Sequence, residues 1–307
     1  MRNAYLSAIY DLANHNSNVL ALISDNGAIV YDKFRKDFPL QFLNCGISEA
    51  NMVGVAAGLA STGKIPFAYT ISPFLSLRAF EFIRNDICIQ QQNVKLVGTG
   101  AGFVYSALGP THHATEDVSA LRSLPEITLI TPASPLEVKK AIIAAAEFLG
   151  PVYIRIGTNG EEEIYKHDYP FKIGRGEIIN EGNDLAIITT GSIITEALSV
   201  ARSLREKNIH VKIINIHTLK PIDNELLIDT AKKIKVIITL EEHSIHGGLG
   251  SAVAEVLLES GCTGMKFLRM GLDNTFCKGY GKHHELRSLN GLSANHILAN
   301  IQRLLMN

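Results

Sequence analysis

The chain has 307 residues, with 29 Lys plus Arg against 30 Asp plus Glu, a formal net charge of -1 at pH 7. It has no basic excess to gather on one face, so the electrostatic footprint of a nucleic-acid binder is missing. With 46% hydrophobic and 19% charged residues it can bury a large core, which excludes intrinsic disorder; a length of this order suggests about two domains. The four cysteines (Cys45, Cys88, Cys262 and Cys277) form no CxxC pair, so neither a disulfide framework nor a zinc ribbon is indicated. The first residues, MRNAYLSAIYDLANHN, lack the apolar core of a signal peptide. No apolar run approaches the ~18 residues a membrane span needs. A cytoplasmic protein is expected, with neither a membrane nor a nucleic acid as partner. The low charge content also fits a surface partly covered by another subunit.

In chain order, residues 19–25, 66–72, 94–100, 127–133 and 151–157 read as buried strands. The segments EANMVGVAAGLAS, LSLRAFEFIRNDICIQQ and SPLEVKKAIIAAAEFLG between them have helical periodicity. This alternation predicts an α/β fold with a largely parallel sheet covered on both faces. Residues 158–176 are polar and turn-rich and are read as an interdomain linker between a domain over 1–157 and one over 177–307. The second series starts with strands at 185–192, 211–219 and 236–243 and a helix at TEALSVARSLREKN. It ends on the amphipathic LSANHILANIQRLL, with Ser293 placed as an N-cap.

Four segments could carry chemistry. In NCGISEANMVGVAAGLAS (44–61), Ser48 is placed to cap a helix with Glu49 in its first turn. An isolated Glu there would only complement the helix dipole. The helix it opens is slim, however, with Gly54, Ala56, Ala57, Gly58 and Ala60, and a shielded carboxyl ahead of it could share a proton with a ring nitrogen. In 97–125, three glycines precede Phe103, and Gly109-Pro110 turns into Thr111-His112-His113. Adjacent histidines point in different directions, so this is a poor metal pair. In 70–86, Ile71, Phe74 and Leu77 recur every three residues and form an apolar wall or a core stripe. In 240–255, His243 and His246 followed by Gly247, Gly248 and Gly250 suit an anion site, a metal or, more simply, close packing.

Taken in this order and spacing, the segments resemble the C-terminal half of transketolases and of 1-deoxyxylulose-5-phosphate synthases. GPTHH at 109–113 and EEHSIHGGLGSAVAE carry much of the likeness, which extends to the closing GLDNTFCKGYGKHHELRSLNGLSANHI. The resemblance implies two consecutive open, mainly parallel-sheet domains: a thiamine diphosphate pyrimidine-binding fold, then a transketolase C-terminal domain. It also implies that Glu49 bonds the pyrimidine nitrogen of thiamine diphosphate and so promotes formation of the cofactor's ylid. Ile71, Phe74 and Leu77 then stand in the pocket around that ring. His112 stands near the reacting carbons, with His113 and Arg155 as further substrate contacts.

Some family features are missing. Leu108 replaces an acidic sugar contact and Gly100 a phosphate-binding histidine, and the chain has no Gly-Asp-Gly motif. No metal ligand is therefore expected here; magnesium and the diphosphate would be held by a partner N-terminal subunit that carries that motif. The expected assembly is α2β2 with homodimer contacts, and the expected activity is transfer of a two-carbon ketol unit between sugars or sugar phosphates. The alternatives are the beta subunit of a 2-oxo-acid dehydrogenase-type enzyme, a non-catalytic scaffold, and a zinc hydrolase built on the four histidines.

Overall fold

The computed structural model describes residues 1–158 and 160–306; residue 159, within the expected linker, and residue 307, at the expected end of the second domain, lie outside the described residues. After helix α1 (Arg2–His15) come β1 (Val19–Ile23), α2 (Asp32–Asp37), β2 (Phe42–Asn44), α3 (Glu49–Ser61) and β3 (Ile65–Ile71). The next helical stretch departs from the α-helix expected there. It has one short α-helix, α4 (Phe80–Phe82), between two π-helical segments, Phe74–Arg78 and Ile83–Cys88. β4 (Lys95–Thr99), α5 (Asp117–Arg122), β5 (Thr128–Ile130), α6 (Pro135–Glu147) and β6 (Val152–Ile156) complete the first half.

These six strands pair in parallel in the order β5-β6-β4-β3-β1-β2. Alternation along β1 shows how both faces are used. Val19, Ala21 and Ile23 join the core with α1 and α6, whereas Leu20 and Leu22 join the core with α3. α6 starts as its sequence dictates: Pro135 sits in the first turn and Ser134 Oγ accepts the Glu137 N–H at 3.4 Å.

The second half contributes β7 (Glu177–Asn180), β8 (Leu185–Thr189), α7 (Ile194–Arg205), β9 (Val211–Asn215), β10 (Thr218–Lys220), α8 (Asn224–Lys233), β11 (Val236–Ser244), α9 (Leu249–Glu259), β12 (Lys266–Leu272), α10 (His283–Leu289) and α11 (Ala294–Met306). Its sheet runs β12-β11-β8-β9-β7, parallel except for the edge strand β7. Among the described residues no helix is long and apolar enough to cross a membrane.

The single strand expected over 211–219 is divided. β9 stays in the second sheet, while β10 crosses to the first and pairs antiparallel with β5, Thr218 opposite Ile130 and Lys220 opposite Leu129. Between them the His217 carbonyl accepts the Thr131 N–H at 2.8 Å, and the His217 ring stacks on Phe171 with centroids 4.2 Å apart. The core above α3 is continuous with Ile188, Ile214, Ile216 and Leu219 of the second half. Leu219→Ala should therefore lower the unfolding free energy by about 2–5 kcal/mol, with both halves unfolding in one transition. Urea denaturation followed by circular dichroism and by hydrogen exchange in each sheet checks this; two separate transitions would show the halves to be independent.

Candidate active site

At the carboxyl ends of β1 and β3, where open α/β sheets bind ligands, lies a cleft of about 190 Å³ whose lining includes Asn26, Ile47, Glu49, Thr70, Ile71 and Phe74. Glu49 opens α3 and is 2% exposed. Ser48 does not cap that helix with its side chain; its hydroxyl donates instead to the Cys45 carbonyl at 2.7 Å. Glu49 Oε2 accepts a hydrogen bond from Arg78 Nη1 at 2.6 Å, and the Arg78 guanidinium lies over the Phe74 ring, 4.4 Å from its centroid. Glu49 Oε1 accepts no hydrogen bond among the described residues. Two buried atoms of the cleft, Asn26 Nδ2 and Thr70 Oγ1, lack partners among the described residues. Unpaired buried polar atoms are rare in a folded chain and need an explanation.

His112 stands on a loop closed at its base by the pairing of Gly102 with Ala114, through N–H to carbonyl bonds of 3.2 and 3.0 Å. Its ring packs edge-on against Phe74, with centroids 5.1 Å apart, so Phe74 links the Glu49 cleft to His112. His113 takes another course. It is buried against Phe103, with centroids 5.6 Å apart, neither ring nitrogen has a partner among the described residues, and burial lowers its pKa. The structure therefore does not bring His113, expected at the substrate, to the cleft. Nor does it bring Leu77, which is 45% exposed outside it. In a π-helical segment the i and i+3 positions no longer stack as the expected stripe requires.

Arg155, expected at a phosphate, is turned inward and 5% exposed. Its Nε donates to Asp117 Oδ2 at 2.9 Å, and its Nη2 donates to the carbonyls of Ala114 and, at 3.2 Å, Glu242. Asp117 Oδ2 also accepts from Tyr153 Oη at 2.7 Å. Nearby, His243 lies 2.8 Å from the Ser244 carbonyl through Nδ1 and accepts the Ser119 N–H through Nε2 at 3.4 Å, a neutral tautomer. Burial drives its pKa down to about 4. Glu241 receives the N–H groups of Leu249 and Gly250, both at 2.8 Å, at the start of α9, and burial pushes its carboxyl up to about 7. A Cβ on Gly248 would lie 2.0 Å from Glu241 Oε2, so this glycine leaves room for the carboxylate. Among the described residues no group of three or more His, Cys, Asp or Glu side chains could hold a metal ion.

Residues 1–159 match the family model described as the pyrimidine binding domain of transketolase, and residues 174–297 match its C-terminal domain. The chain belongs to the transketolase family. It is 40% identical over 305 residues to a Methanocaldococcus jannaschii protein with the provisional name transketolase C-terminal section, covering 98% of this chain and 95% of that one. It is 37% identical over 265 residues to one of the subunits of the apulose-4-phosphate transketolase of Actinobacillus succinogenes, covering 86% of this chain and 85% of that one. A 1-deoxy-D-xylulose-5-phosphate synthase of Geobacter sulfurreducens matches at 36% over 297 residues, covering 94% of this chain and 45% of that one. Among solved structures, one described as "Split gene transketolase, inactive beta4 tetramer" superposes with a TM-score of 0.89 at 38% identity, covering 99% of this chain and 97% of that one. The chain thus corresponds to the C-terminal subunit of a transketolase-like enzyme.

Asn26, Thr70 and Arg78 are absent from the sequence reading of the site. Thr70 and Arg78 lie inside the segment singled out there, as polar members outside its apolar period. Arg155→Met should leave Asp117 buried without its counter-charge and cost about 3–5 kcal/mol, seen as a lower melting temperature of the chain. An Arg155→Met chain of unchanged stability with a raised KM would instead place Arg155 at the substrate.

Proposed function

We propose that this chain is the pyrimidine-side subunit of a two-component, thiamine diphosphate-dependent transketolase-like enzyme that moves a two-carbon ketol unit between sugars. The observation that carries this reading is the Glu49 cleft. It combines a shielded carboxylate with one oxygen unused, an unpaired amide donor (Asn26), an unpaired hydroxyl (Thr70) and an aromatic wall (Phe74). This set suits a flat nitrogen heterocycle that offers both donors and acceptors. When bound, thiamine diphosphate supplies a carbon nucleophile able to carry the ketol unit.

Each protein group then has a defined task. Glu49 shares a proton with the ring nitrogen in a site that Ile71 and Phe74 keep poor in water. His112, across Phe74, holds the sugar oxygen on which charge develops. Magnesium and the diphosphate fall to a partner chain with a Gly-Asp-Gly motif, in an α2β2 assembly. The exposed small side of α3, where a Cβ on Gly54 or Gly58 would meet nothing within 4 Å, suits close contact with that partner.

In the complex with that partner, Glu49→Ala should lower turnover by roughly 10²–10⁴-fold while circular dichroism shows an unchanged fold. Retention of about a tenth of the activity or more would remove the assigned role, since that loss falls short of this range. His112→Ala should lower kcat by roughly 10²–10³-fold, the size expected for one lost donor at a developing oxyanion. A loss confined to KM would argue for simple binding. Calorimetric titration of thiamine diphosphate with magnesium should show tight binding by the complex and none by the chain alone. Tight binding by the isolated chain would refute the two-component assignment.

A further inference from the structure

The loop carrying His112 is held from outside its own sheet, by β11. At one end of the Gly102–Ala114 closure, Glu242 Oε1 accepts the N–H of Phe103, the first residue inside the loop, at 2.6 Å. At the other end the Ser244 N–H donates to the carbonyl of Thr115, the first residue beyond it, at 2.8 Å. Arg155 lies between, bound to the carbonyls of both Ala114 and Glu242. Gly102 has φ +58, and a Cβ there would lie 2.2 Å from Glu242 Oε1, so residue and carboxylate are fitted to each other. At the loop's far turn a Cβ on Gly109 would lie 2.7 Å from Tyr280 Cε1, so the second half touches the tip as well.

Glu242 is itself fixed. It is 5% exposed, with His283 Nε2 2.7 Å from Oε1 and Arg287 Nε donating to Oε2, both from α10. Arg287 also donates to Ser192 Oγ at 3.0 Å. Burial pushes the Glu242 carboxyl up, but Arg287 and His283 outweigh it and hold the group well below the usual carboxylate range. Charge-assisted bonds from three directions leave this carboxylate a single orientation in which to meet the loop.

The geometry points to Glu242 as a positioning residue: an acceptor, supplied by the second domain, that fixes where the loop begins and hence where His112 stands against Phe74. The inference rests on the function proposed above only in its kinetic consequence, because the hold on the loop belongs to the chain itself. Glu242 touches no reacting atom. Its effect passes through His112, and a displacement of order 1 Å at such a group costs up to about 10²-fold in rate.

Hydrogen exchange on the full chain and turnover of the reconstituted complex test this together. In Glu242→Ala the amides of residues 103–113 should exchange about tenfold faster or more, while those of α7 and β8 stay protected. Glu242→Gln keeps an acceptor for the Phe103 N–H and should restore most of the loop's protection, which separates loss of the hold from loss of the fold. In the complex, Glu242→Ala should lower kcat roughly 10–10²-fold, and Glu242→Ala combined with His112→Ala should be no slower than His112→Ala alone. Unchanged loop amides, a uniform rise in exchange that Glu242→Gln does not reverse, or losses that multiply in the double variant would each overturn the inference. If the loop loosens but His112→Ala leaves turnover intact, the role proposed for His112 fails while the hold of Glu242 on the loop stands.

Discussion

The guanidinium of Arg155 is where three parts of the chain meet. It joins α5 through Asp117, the end of the His112 loop through the Ala114 carbonyl, and β11 through the Glu242 carbonyl. A buried ion pair of this kind adds little net stability against an apolar substitute, because both charges must be desolvated. It contributes geometry instead. Five N–H groups in a rigid plane tolerate few arrangements of their acceptors, so the two sheets meet in one register and the loop leaves that junction in one direction.

Polar satisfaction is unevenly shared between this junction and the cleft. Around Asp117 and Glu242 the carboxylates each meet several donors. Glu49 has one donor on one oxygen, and Asn26 and Thr70 leave buried atoms unused. Burying a polar group without a partner costs free energy that a folded domain recovers only if something else supplies the bond. The junction is thus satisfied by the chain's own groups, whereas the cleft holds buried polar atoms without partners among the described residues.

Much of this was legible in the sequence. The βα alternation specifies two mainly parallel sheets, and Glu49 and His112 stand out by their settings, one ahead of a slim helix and the other after a Gly-Pro turn. The misreadings have separate physical causes. The strand pattern at 211–219 gives no sign of where a strand leaves one sheet for another, since both environments are equally buried. The period of residues 71–77 assumes an α-helix, and the π-helical backbone turns Leu77 away. Arg155 and His113 carry the residue types of a binding site, but burial is decided by distant partners such as Asp117 and Phe103, whose proximity no local spacing encodes.

The crossing of β10 has an evolutionary consequence. By composition the linker is the natural place to cut the chain, yet the strand lying on the edge of β5 comes from beyond it. A gene broken there would leave the first sheet with a bare edge open to pairing with other chains, and the second half with an unpaired strand. The two halves must therefore be inherited, exchanged or fused as one block.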